Sequence, residues 1–234
     1  MNILVTGASR GIGAATYALL MKTGHNVVGH STKGSDQLIA GDLTDPAAPR
    51  DIWDTALDEL DGTIDVLVNN AGIYEAVADN AQDEEWHSAW QRTLTINLQA
   101  AADLSRLAVS HFLDRGGGGR IINVASRAAF RGDSPQHWHY AASKAAMVGM
   151  TKTVARGYAA EGVLCFAVAP GFTVSEMTAE YLQGRGGAQI VADIPLGRVA
   201  STDEIAEIIR WLSADAPASA TGSIIDANGA SYVR

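Results

Sequence analysis

Seven short runs rich in β-branched and apolar residues, at 3–6, 26–31, 38–40, 66–69, 120–124, 164–169 and 223–226, recur along the whole chain. Between them lie longer amphipathic stretches near 12–23, 47–60, 86–113, 138–160 and 202–213. Runs that are apolar throughout need cover on both faces, and strands alternating with helices make βαβ crossovers. The pattern predicts an α/β fold: a doubly wound, parallel, seven-stranded sheet with helices on both faces. "DRGGGGR" at 114–120 reads as a surface turn, and no repeat or linker interrupts the chain, so residues 1–234 are expected to form a single domain.

At 234 residues, 47% apolar and 18% charged, the chain has the makings of a full core. A formal charge of −9 argues against nucleic acid or an anionic membrane surface as a partner, since both attract positive fields. Small molecules or copies of the chain are the expected partners. The only cysteine, Cys165, sits in "VLCFAVA" and reads as a core thiol suited to a reducing compartment. The N-terminus lacks the pattern of an export signal and no apolar run is long enough to span a bilayer, so a cytoplasmic location is expected.

Three motifs carry chemistry. "TGASRGIG" at 6–13 follows the first strand and opens a helix. Its glycines at 7, 11 and 13 would let backbone N–H groups approach a pyrophosphate at the helix N-terminus, although the same spacing can make a purely structural turn. "DVLVNNAG" at 65–72 stops a strand in two side-chain amides, fit either to brace that loop or to form a polar turn. In "WHYAASKAAM" Tyr140 and Lys144 lie one helical turn apart, and Ser126 ends the strand before them. A hydroxyl, a phenol and an ammonium above the sheet could hold a carbonyl oxygen and move its proton, with the cation lowering the phenol from its usual value of about 10.

With "NNAG", "LTINLQAA", "INVASR", "YAASK", "APGF" and "TGSIIDANGA" added, the chain resembles the short-chain dehydrogenases/reductases over essentially its whole length, and 3-oxoacyl-carrier-protein reductase-like members in particular. The resemblance implies a Rossmann-type fold and a tetrad of Asn97, Ser126, Tyr140 and Lys144. Tyr140 would be the acid/base, Ser126 would polarise the carbonyl, Lys144 would bind the nicotinamide ribose and lower the phenol, and Asn97 would hold a relay water. Cofactor contacts are expected at Gly7, Ser9, Arg10, Gly11, Ile12 and Gly13, at Asp42 and Leu43 by the adenine, at Asn69, Ala71 and Gly72 by its ribose, and at Pro170, Gly171, Thr173 and Ser175 by the carboxamide.

Members that use NAD usually end the second strand in an aspartate, whereas Ser31 stands there in this chain. With Arg10, Thr32 and Lys33 near, NADP(H) is the expected cofactor in preference to NAD(H). Only seven residues separate Ser31 from Ile39, which predicts an open adenosine end, and fourteen from Ser126 to Tyr140, one more than is commonest in the family, predict a loop bulging toward the substrate. Phe166 stands where an asparagine is common. His137 and His139 suggest no metal, because no further ligand completes a set.

Ser126, Arg127, Trp138, Tyr140, Met177 and Tyr181 are the expected substrate contacts. Arg127, Phe130 and Arg131 could grip an anion or simply be solvated. The apolar Met177, Tyr181, Leu182 and Ile190 of a glycine-interrupted lid suggest an uncharged or amphiphilic carbonyl or alcohol. A 3-oxoacyl thioester reductase is one alternative, though −9 makes a basic carrier-protein patch hard to supply. A non-catalytic NADP(H) sensor is another, disfavoured because Tyr140 and Lys144 are both kept. The resemblance implies a homotetramer paired through the helices at 86–113 and 138–160.

Overall fold

A computed structural model describes residues 1–174 and 187–234. The chain runs through β1 (Asn2–Val5), α1 (Gly11–Lys22), β2 (Asn26–Ser31), β3 (Leu38–Ala40), α2 (Ala48–Glu59) and β4 (Val66–Asn69). Next come α3 (Asp83–Leu94), a π-helical turn (Thr95–Gln99), α4 (Ala100–Asp114), β5 (Gly119–Val124), α5 (Ala128–Arg131) and α6 (Trp138–Tyr158). The last elements are β6 (Val163–Pro170), α7 (Gly187–Ala192), α8 (Thr202–Ala214) and β7 (Ile224–Ala227).

The strands form one seven-stranded sheet in the order β3-β2-β1-β4-β5-β6-β7, and every pairing is parallel. Strand order reverses between β1 and β4, the switch point at which open α/β sheets leave a crevice above their carboxyl ends. The period of two along each strand divides the core into two layers. Leu4, Leu67, Ile121 and Cys165 pack with Ile52 of α2 and Leu104 of α4, while Ile3, Val5, Val68, Ile122 and Phe166 pack with Leu20 of α1 and Ile209 of α8. Phe166 therefore fills the α1/α8 layer.

All seven strands lie within a residue of where the apolar runs put them. The helix placed near 86–113 begins at Asp83, the start that the acidic "DEEW" at 83–86 marks, where Asp83, Glu84 and Glu85 fill a first turn that favours negative charge. The π turn then interrupts it, a local geometry that hydrophobic periodicity does not report. Between β2 and β3 the short connection makes a tight turn: Gly34 N–H donates to the Ser31 carbonyl, and Ser35 pairs with Leu38. Among the described residues, no helix is long and apolar enough to cross a membrane.

Candidate active site

A cavity of ≈ 1140 Å³ opens above the carboxyl ends of β1, β2, β4, β5 and β6. Its first wall is the glycine loop. Gly7 and Gly11 have φ of 67° and 58°, left-handed values that disfavour a Cβ. A Cβ at Gly13 would lie 2.1 Å from the Gly7 carbonyl oxygen, so that turn closes only around glycine. Helix α1 starts with no side-chain cap, leaving first-turn N–H groups facing the crevice, where an anion fits them.

Two braces hold the loop. Asn70 Nδ2 donates to the carbonyls of Thr6 (2.9 Å) and Gly7 (3.1 Å), and Thr6 Oγ1 accepts from Asn70 and Ala71 N–H. His30, buried near the end of β2, has Nε2 2.9 Å from the Gly41 carbonyl, and its Nδ1 accepts from Gly7 N–H at 3.4 Å. That pattern requires the neutral ring with its proton on Nε2, and burial lowers the pKa of His30 to match. Read alone, a histidine inside an apolar strand signals no such bridge.

The second wall comes from β5, α5 and α6. Lys144 is buried, and its Nζ donates to the Val124 carbonyl at 2.8 Å and lies 5.8 Å from the centre of the Tyr140 ring. Ser126 hydrogen-bonds the Tyr140 phenol. Burial disfavours both charged forms, raising Tyr140 to about 12, against the pull of Ser126, and lowering Lys144 to about 8. The phenol thus lies above its usual value, the opposite direction to the lowering expected from the ammonium, because burial is the largest influence on it.

Tyr74 stands edge-on to Tyr140 with ring centres 4.8 Å apart, and stacks on His137 at 3.9 Å. Its hydroxyl donates to Asp133 at 3.0 Å, and Ser134 Oγ lies 2.7 Å from His137 Nδ1. Sequence reasoning missed Tyr74 and Asp133, which meet only in the fold, across 59 residues. The longer interval before Tyr140 supplies Arg131, Gly132, Asp133 and Ser134 to the cavity wall.

A sequence profile of the short chain dehydrogenase family matches residues 1–186. The chain belongs to that family. It is an oxidoreductase of the kind that works between an alcohol and a carbonyl. Over 243 aligned residues it is 36% identical to the 3-oxoacyl-[acyl-carrier-protein] reductase FabG of Escherichia coli (strain K12), covering 98% of this chain and 96% of that one. A short chain dehydrogenase from Burkholderia cenocepacia J2315, solved in complex with NADP, superposes with a TM-score of 0.87 at 28% identity, covering 98% of this chain and 97% of that one. A putative NAD(P)-dependent gluconate 5-dehydrogenase from Beutenbergia cavernae, with bound NADP at low occupancy, gives 0.85 at 33% identity, with 97% and 94% covered.

Within this short-chain dehydrogenase, Gly7, Ser9, Arg10, Gly11, Ile12 and Gly13 line the cavity, as do Ser31, Thr32, Lys33, Asp42 and Leu43. Ala71, Gly72, Ser126, Arg127, Tyr140 and Lys144 line it too, with Pro170, Gly171 and Thr173. Three expected residues lie elsewhere. Asn69 shares the strand face of Leu67, so its amide points under α4, donating to Ser105 Oγ and Asn123 Oδ1; the turn residue Asn70 reaches the loop in its place. Asn97 is wholly buried behind the wall, accepting from Ile73 N–H and donating to the Ile73 carbonyl and Ser143 Oγ. The first turn of α6 carries Trp138 outward, where it is 53% exposed and meets Trp86 edge-on. His139, on the same turn, is buried near Trp90. Ser175, Met177, Tyr181 and Leu182 lie outside the described residues.

Proposed function

We propose that this single-domain chain is an NADP(H)-dependent oxidoreductase that interconverts a ketone or aldehyde and its alcohol, with Tyr140 as general acid/base. The observation that carries the reading is the convergence of Ser126, Tyr140 and Lys144 on one wall of a cavity whose opposite wall is the glycine loop. The glycine cradle and uncapped α1 suit a pyrophosphate, and Arg10, Thr32 and Lys33, with no acid at the end of β2, suit a 2′-phosphate. The NADP of the Burkholderia and Beutenbergia structures supports that choice.

When bound, the nicotinamide supplies or accepts the hydride. Ser126 would hold the carbonyl oxygen beside Tyr140, and the phenol, kept protonated by burial, would donate its proton to that oxygen as charge develops. Lys144, held by Val124, would meet the ribose and stabilise the resulting tyrosinate. Asn97 fixes the backbone at Ile73, next to Tyr74 and so to the packing of the Tyr140 ring.

Similarity to FabG favours 3-oxoacyl thioesters as a second substrate class. Oxidation of NADPH and NADH, followed at 340 nm with aldehydes, ketones and 3-oxoacyl thioesters, tests both readings. The expected result is turnover of one class with NADPH and at least a tenfold lower kcat/KM with NADH; equal use of both nucleotides would overturn the NADP(H) preference. The resemblance in sequence implies a cytoplasmic homotetramer, and cell fractionation and sedimentation velocity check those two properties.

A further inference from the structure

We infer that the substrate carries a carboxylate beside its reacting carbonyl, and that Arg127 is the residue that reads it. The inference rests on the carbonyl-reductase reading above and names its substrate class. Arg127 follows Ser126 directly and caps α5, its N–H donating to the Pro170 carbonyl at 2.9 Å. Its guanidinium is held in two ways: NH1 donates to Ser231 Oγ, and the flat face lies 4.9 Å from the centre of the Phe172 ring. Ser231 is itself fixed by its bond to the Asn228 carbonyl at 2.8 Å. The side chain is thus partly buried and oriented at the cavity wall without a carboxylate partner among the described residues, and most of its donor fork is left over.

One helical turn on, Arg131 lines the same cavity and has no side-chain partner among the described residues. Like charges at i and i+4 repel, and Arg131 is one of the groups that lower the pKa of Arg127. An anion between the two would relieve that repulsion. The charge count sets the size of that anion. Among the described residues Arg127, Arg131 and Lys144 line this end of the cavity with Asp133 and Asp193, one net positive charge, which matches a carboxylate better than a phosphate dianion. A planar guanidinium fork also matches two carboxylate oxygens in one plane. A 3-oxoacyl thioester offers no charge there.

The test compares acetoacetate and 4-oxopentanoate with their methyl esters, using NADPH. In the wild type the carboxylates should exceed the esters in kcat/KM by at least about tenfold, the order of a charge-assisted bidentate contact. Arg127→Gln should bring that ratio to about one, with NADPH affinity unchanged, and Arg131→Gln, at an exposed position, should lower it by roughly threefold. Esters reduced as well as acids by the wild type, or a ratio unmoved in Arg127→Gln, would overturn the inference. If neither set is turned over, the reductase reading fails on its own, and melting of the NADP⁺-loaded protein decides the anion site. A rise with malonate that malonamide does not give and Arg127→Gln abolishes supports it; equal melting with both refutes it.

Discussion

The two ends of the cavity are built from different materials. At the glycine loop the working groups are backbone N–H donors; the glycines that shape them, Gly7, Gly11 and Gly13, are near one another in sequence, and only the braces, His30 and Asn70, come from farther along the chain. At the carbonyl end the working groups are side chains from β5, α5, α6, the loop after β4 and the C-terminal turn, brought together over 59 residues in the Tyr74–Asp133 bond and 104 in the Arg127–Ser231 bond. Backbone donors tolerate many neighbours and no extra Cβ. Side-chain donors tolerate neighbours poorly and depend on distant packing. The first end can be common to a family, and the second is where one member differs from another.

Three substitutions sharpen that contrast. Tyr140→Phe removes the transferable proton and leaves the glycine loop untouched; kcat should fall by about 10³-fold or more while NADPH titration by fluorescence stays within a factor of two. Retained turnover would show that another group donates the proton. Gly13→Ala should act the opposite way. The added methyl meets the Gly7 carbonyl at 2.1 Å and Asn70 Nδ2 at 2.4 Å, backbone and brace that cannot both yield. We expect a loss of roughly 1–3 kcal/mol, seen as a Tm drop of several degrees, with NADPH affinity weakened at least tenfold. The smallest effect is expected for Tyr74→Ala. Without the edge-on ring and its bond to Asp133, Tyr140 loses a contact of about 0.5–1.5 kcal/mol, so kcat should fall roughly three- to tenfold with the KM for NADPH unchanged. A larger change in KM than in kcat would place Tyr74 with the cofactor end.

The same contrast explains what could be read from the sequence. The sheet and its order of strands and helices were legible because runs such as 66–68 and 164–169 are apolar on both faces and so report their own burial. The glycine loop and the Tyr140–Lys144 pair were legible because each lies within one turn of chain. Asn69 was placed wrongly since a motif read as a unit, "NNAG", conceals the alternation that sends Asn69 under α4 and Asn70 to the loop. Tyr74, Asp133, His30 and Ser231 carried no local signal. Their roles exist only as pairs, and the partner of each is set by tertiary structure.

The π turn at Thr95–Gln99 has one further consequence. A π turn holds one residue more than the α-helix repeat, so α3 and α4 run along one rod but are out of phase by about 100°. Excising a single residue there would let the rod heal into an unbroken α-helix while swinging all of α3 around its axis. Trp86 and Trp90 would turn away from Trp138 and His139 on α6, and Asn97 would leave Ile73. The rod therefore behaves as two gears keyed together by one extra tooth. Whether a relative of this chain keeps that tooth can be read from the length of the segment between "NNAG" and the next strand, before any side chain in it is compared.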